Sequence, residues 1–152
     1  MIRVHLKTRA ILFCFLIASA NFAFAQTNTV SFTINIQNVV VNTGKVYVSV
    51  YKSDASWKDR SNPDFLITLD SEKTTISCTL DLPSGDYAIA IYQDTNKNGK
   101  CDYGGFLGLI PQEIIGVSNY TGKGYPASSF SGAKFKINPE VKKSIDIGLY
   151  KL

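Results

Sequence analysis

The sequence predicts an all-β fold, an antiparallel Greek-key β-sandwich of about seven strands. Three observations lead there. Apolar and polar residues alternate with period two along several segments, turn residues recur at short intervals, and no stretch holds a helical period. The segment 26–152 is expected to be a single β-sandwich domain, since its length suits one core and it carries no internal repeat or low-complexity linker.

Each element follows from its own pattern. In Val30 to Val39, Val30, Phe32, Ile34 and Ile36 face one way and Ser31, Thr33, Asn35 and Gln37 the other, which is a half-buried strand. Asn42 to Gly44 supply a turn. Val46, Val48 and Val50 then alternate with Tyr47, Ser49 and Tyr51, so the first two strands are expected to pair as a hairpin. Residues 53–64 read as irregular, with Trp57 plugging one end of the core. Phe65 to Leu69 form a short strand, and Ile76, Cys78, Leu80 and Leu82 point inward along the next. After the Pro83–Gly85 turn, Tyr87 to Tyr92 are apolar on both faces and suit a central strand. A long loop follows, and Ala133 to Asn138 and Lys143 to Tyr150 close the chain as two strands.

The first 25 residues read as a secretory signal peptide. Arg3, Lys7 and Arg9 precede an apolar run, Ala10 to Ala20, that is too short to span a bilayer, and Ala23 and Ala25 are the two small residues a signal peptidase inspects before cleaving ahead of Gln26. Cys14 lies inside the apolar run behind Phe13, which does not suit a lipoprotein. The expectation is therefore an exported protein, periplasmic or secreted, with no transmembrane segment after cleavage.

That cleavage changes the charge. The signal carries three of the 16 basic residues and none of the 12 acids, so 13 face 12 and the net charge is +1. No basic stripe is left for nucleic acid. The single histidine, His5, also leaves, and with it imidazole bases, Ser-His-Asp arrangements and histidine metal ligands. Cys78 and Cys101 remain. Outside the cytoplasm they could close one disulfide, or Cys78 could be a buried thiol and Cys101 incidental.

The segment Asp94 to Asp102 (DTNKNGKCD) carries the candidate site. A hard divalent cation takes oxygen ligands from alternate residues of a chain that curls round it, and a mid-loop glycine permits the bend. Asp94, Asn96 and Asn98 occupy the first, third and fifth places, Gly99 the sixth, the Lys100 carbonyl the seventh and Asp102 the ninth. The cation expected is calcium, in a structural role, bound with Kd on the order of 10⁻⁴–10⁻³ M. The twelfth place is Gly105, where an EF-hand has glutamate, and a strand precedes the loop, so this is not an EF-hand. Glu113 is the candidate for a further ligand and Asp86 a weaker one. The alternative is a hairpin with a type I′ turn at Asn98-Gly99 and solvated acids.

Downstream, Tyr103 to Tyr120 is apolar for a loop, with Phe106, Leu107, Leu109, Ile110, Ile114 and Ile115. It either folds over an open end of the sandwich or exposes an apolar surface to a ligand or partner.

Taken together, LPSGDYAIAIYQDTNKNGKCD, FLGLIPQEIIGVSN and PASSFSGAKFKI resemble the bacterial domain-of-unknown-function family numbered 2141, over roughly Phe32 to Leu149. Leu82, Pro83, Gly85, Tyr87 and Ala88 match its turn and strand. Asp94, Asn96, Asn98, Gly99 and Asp102 match its acidic loop, and Pro111, Glu113, Gly116, Ser118 and Asn119 the segment after it. Cys101 replaces an apolar residue, and GLIP is longer than the family's Gly-Ile-Pro. The resemblance implies an exported β-sandwich in the style of transthyretin-like (prealbumin-like) or carboxypeptidase-regulatory-like domains, and no activity.

Three functions are compatible with these residues. One is a non-catalytic exported module, its loop stiffened by calcium, that binds an unknown protein or small-molecule ligand. The second is a small-ligand carrier with the apolar loop as lid and Tyr92, Tyr103, Tyr120 and Tyr125 lining a cleft. The third is a hydrolase using paired carboxylates, Asp94 or Asp102 with Glu113.

Overall fold

A computed structural model describes residues 29–140 and 143–152; the signal segment expected at 1–25 lies outside them. The described chain is mostly β. Its strands are β1 (Thr29–Gln37), β2 (Lys45–Tyr51), β3 (Phe65–Asp70), β4 (Thr75–Pro83), β5 (Gly85–Asp94), β6 (Tyr103–Gly104), β7 (Ile110–Pro111), β8 (Ile114–Val117), β9 (Phe135–Ile137) and β10 (Ser144–Gly148). Two short helices, α1 (Asp54–Lys58) and α2 (Phe130–Ala133), interrupt them.

The first sheet has the order β10-β1-β4 and the second β3-β2-β5-β8. Strand β9 pairs with the first residues of β5, and β8 with its later ones. The predicted alternation is met in β1, where Val30, Phe32, Ile34 and Ile36 are buried, and in β2, where Val46, Val48 and Val50 are fully buried. Residues from both sheets share one hydrophobic cluster: Phe32, Ile34, Leu82 and Ile147 from the first meet Val48, Val50, Ile89 and Ile91 from the second. Burial of these side chains stabilises the fold by about 1.5–3 kcal/mol each.

Three expectations are corrected. Strands β1 and β2 do not form a hairpin. β1 pairs antiparallel with β4 and β2 with β3 and β5, so the two lie in different sheets. The connection between them carries three left-handed residues, Asn38, Asn42 and Gly44, instead of a two-residue turn. Its Val40 is held by the side chain of Gln93, whose Oε1 accepts the Val40 N–H at 2.9 Å and whose Nε2 donates to the Val40 carbonyl at 2.7 Å. Second, the pairing is not wholly antiparallel, because β10 runs parallel to β1, with Ile34 opposite Ile145. The alternation of Ile145 and Ile147 fixed which face is buried but not the strand direction.

Third, Trp57 is buried, but not at the end of the main core. Ser53 caps α1, its hydroxyl accepting the Ser56 N–H in a capping box. The helix sets Trp57 into a second cluster with Tyr51, Ala88, Val117 and Ala133. Its Nε1 donates to the Ser128 carbonyl at 3.0 Å. These partners alternate with core residues along β2, β5 and β8, so the cluster covers the second sheet's other face. Of the two readings left open for the cysteines, the structure has the one without a bridge: Cys78 and Cys101 are both unpaired. Cys78 packs against the main core from β4, whereas Cys101 lies beyond β5 against Tyr92 and Pro111, and the sheet separates them.

The apolar segment divides between its two predicted fates. Ile114–Val117 form β8, with Ile115 and Val117 buried, while Leu107, in a 3-10 turn at Phe106–Gly108, and Leu109, just after it, are 75% and 71% exposed. No helix among the described residues is long and apolar enough to cross a membrane.

Candidate functional site

Strand β5 delivers Asp94 to the loop at one end of the second sheet. The Asp94 side chain is 2% exposed, and its two carboxylate oxygens accept the N–H groups of Asn98 (3.1 Å) and Gly99 (2.8 Å). These bonds curl the chain back on its first residue, and Gly99, at φ +80°, supplies the bend. Asn98 is not left-handed, whereas Lys97 is (φ 62°), so the type I′ turn at Asn98-Gly99 does not form. Asn96 Oδ1 and Asn98 Oδ1 accept the N–H groups of Asn98 and Lys100.

The loop closes on Asp102. Its Oδ2 accepts the side-chain amides of Asn96 and Asn98, both at 2.6 Å. The Asn96 amide holds the Asp102 carboxyl below the usual carboxylate range; burial opposes this, and Asn98 and Lys100 act with Asn96. The Lys100 ammonium is 4.0 Å from the other oxygen. Asp94, Asn96, Asn98 and Asp102 are thus one hydrogen-bonded group.

Glu113 stands apart from that group. It is 2% exposed, and its Oε2 accepts the Thr95 N–H (3.2 Å) and hydroxyl (2.6 Å). It therefore anchors the residue beside Asp94 to the start of β8. Asp86, the weaker candidate, pairs with Lys134 at 2.7 Å on the surface. No three acid, cysteine or histidine side chains converge among the described residues. The loop carries two carboxylates, two side-chain amides and the Lys100 carbonyl; the amides present their N–H groups to Asp102, while their oxygens accept the N–H groups of Asn98 and Lys100, so they would have to turn to serve a hard cation.

Two concavities flank these residues. A cleft of about 480 Å3 opens beside the loop, lined by Asn42, Lys45, Tyr47, Asp70, Asp94 and Lys97 among others. A smaller hollow, about 120 Å3, lies on the face of the second sheet between Tyr51, Tyr92, Tyr103 and Pro111, with Arg60 at its rim. Burial pushes the Tyr92 phenol up to about 12, helped by Tyr47, Cys101, Asp94 and Glu113. Of the four tyrosines proposed from sequence, Tyr92 and Tyr103 line this hollow. Tyr120 packs edge-on against Tyr150, and Tyr125 is 84% exposed. Arg60, Ser49 and Gln93 were not foreseen as contributors. Arg60 stands in a polar stretch without pattern, and nothing in the sequence says that its guanidinium stacks 3.8 Å over Trp57.

A family model described as "uncharacterized protein conserved in bacteria" (DUF2141) matches residues 34–145. The chain belongs to this family. No curated protein and no solved structure matches it. In this DUF2141 chain the motif residues outside the acidic loop hold elements together. The Tyr87 hydroxyl donates to the Pro83 carbonyl at 2.8 Å, closing the turn before β5. Gly116 lets β8 approach β10, since a Cβ there would lie 2.8 Å from the Gly148 carbonyl oxygen. Ser118 is fully buried; its Oγ accepts the Ile89 N–H at 3.0 Å and donates to the Ala133 carbonyl at 2.6 Å. Asn119, at φ 67°, turns its amide to the carbonyls of Gly132, Ala133 and Lys134.

Proposed function

We propose that this DUF2141 protein is an exported, non-catalytic module, a transthyretin-like Greek-key sandwich whose Asp94–Asp102 loop is stiffened by calcium and which binds a partner at that end. The observation that carries the reading is the convergence of Asn96 and Asn98 on Asp102 in a loop curled on the Asp94 carboxylate. Calcium would be held by Asp94, Asn96, Asn98, the Lys100 carbonyl and Asp102, with the two amides turned to present their oxygens to the ion. Glu113, through Thr95, would steady the loop without touching the ion. The 480 Å3 cleft at the same end supports a binding role for that surface. Export rests on the residue pattern before Gln26.

Calcium-dependent melting tests this. With Kd on the order of 10⁻³–10⁻⁴ M, ~10 mM calcium stabilises the fold by about 1.4–2.7 kcal/mol, a rise in Tm of several degrees for a domain of this size. Asp94→Asn and Asp102→Asn should lose the rise. An unchanged Tm and no calorimetric heat would remove the calcium part of the reading.

The small-ligand carrier is a second reading, favoured by the hollow that Tyr92 and Tyr103 line. The hydrolase reading ranks lowest: it needs one carboxyl kept protonated, whereas the amides on Asp102 favour its charged form.

A further inference from the structure

The hollow on the second sheet has a chemical character of its own, and the ligand class assigned to it rests on the carrier reading and deepens it. Its concavity comes from side-chain size. Ser49 on β2 and Ala90 on β5 are directly opposite one another in the antiparallel register, and both point to the sheet face away from the main core. Along the same face stand much larger neighbours: Tyr51 two residues on from Ser49, and Tyr92 two residues on from Ala90. Two small side chains among large ones leave a depression, and Tyr103 and Pro111 wall its open side. Its volume, about 120 Å3, is close to that of an apolar cavity of ~150 Å3 that takes up benzene.

One charged group lines this depression. The Arg60 guanidinium lies 3.8 Å from the Trp57 ring centroid and 6.0 Å from that of Tyr51. It feels both Tyr51 and Tyr103 electrostatically. Among the described residues it forms no ion pair: Asp59 beside it takes the Ser61 hydroxyl at 2.6 Å, and the four ion pairs present involve other residues. A guanidinium placed over an aromatic ring by cation–π attraction leaves its N–H groups free for an anion.

We propose that the hollow floored by Ser49 and Ala90 binds a small carboxylic acid bearing one aromatic ring or a compact apolar group, with the carboxylate on Arg60 and the ring between Tyr92 and Tyr103. The apolar body enters the depression and the anion stays at its rim, so only the ring is desolvated. Hydrophobic complementarity sets the size of the ligand, and Arg60 sets its charge.

Benzoate, benzamide and benzyl alcohol, titrated separately into the protein lacking residues 1–25 and followed by amide chemical shifts, test this. Benzoate should shift Ala90, Tyr92 and Gly116 and bind at least about tenfold more tightly than either neutral analogue. Arg60→Gln, at an exposed position, should bring benzoate down to the level of benzamide. Ala90→Leu should remove all three while circular dichroism stays native; if that variant does not fold, Ser49→Val serves in its place. Equal binding of benzoate and benzyl alcohol, or binding of benzoate unchanged by Arg60→Gln, overturns the carboxylate assignment and leaves the carrier reading standing. No shift from any of the three at ~20 mM overturns both.

Discussion

A Cβ on Gly44 would lie 1.6 Å from the carbonyl oxygen of Asp94. The connection between β1 and β2 therefore runs directly over the first residue of the acidic loop, in a space that holds backbone alone. Gly44 also has φ +62°, which L side chains avoid. Gly44→Ala combines the two penalties, about 1 kcal/mol for the left-handed backbone and ~1–3 kcal/mol for the overlap. Urea melts of this variant should show a fall of that size, and a calcium-dependent Tm, where wild type has one, should shrink because Asp94 is displaced.

Gln93 sits at the same junction, fully buried. Its side chain satisfies Val40 on both backbone groups and also donates to the Thr43 carbonyl. Gln93→Leu keeps the volume but leaves these groups unmet in the interior, at a cost of about 1–3 kcal/mol. Hydrogen exchange should report it most sharply at the Val40 amide, which loses its acceptor.

Ser118→Ala is expected to cost about 1–3 kcal/mol, because the Ile89 N–H and the Ala133 carbonyl both lose their partner in a buried site. Ser118→Cys, nearly the same shape with a weaker donor, should recover only part of the loss. Denaturant midpoints of the two variants decide the order.

Acid should loosen the loop before it unfolds the chain. The Asp102 carboxyl is lower in the folded protein than its ordinary 3.8, so its contribution is complete above that value and is lost as pH falls through the lowered one. The side-chain amide resonances of Asn96 and Asn98 should move together in that window, below about pH 4, and Asp102→Asn should abolish the step. The exposed Asp86 carboxyl, hydrogen-bonded to Lys134, is lowered in the same direction, so the global melt will carry a second acid-sensitive component that Asp86→Asn removes.

Much of the fold was legible because burial imposes period two. Val30 to Ile36 and Val46 to Val50 declare which face they bury, and the structure keeps those faces. Pairing was less legible, since alternation says nothing of which strand lies beside which: β1 and β2 look like a hairpin but belong to opposite sheets. Strand β8 was hidden because Ile114, Ile115 and Gly116 do not alternate; both faces of β8 are covered, one by the main core and one by the Trp57 cluster. At the acidic loop, Asp94 to Asp102 declared themselves through spacing. Glu113 lay too far along the chain for spacing to say that it grips Thr95 instead. Arg60, Ser49 and Ala90 gave no signal, since a hollow made by small side chains exists only once strands are in register.

The most direct measurement is a crystal structure of the protein grown in ~10 mM calcium. The account predicts one ion at the centre of the loop, 2.3–2.6 Å from oxygens of Asp94, Asn96, Asn98, Lys100 and Asp102, with the two amides turned from donating to Asp102 to presenting oxygen. A loop with Asn96 and Asn98 still donating to Asp102 and only water near them would contradict it.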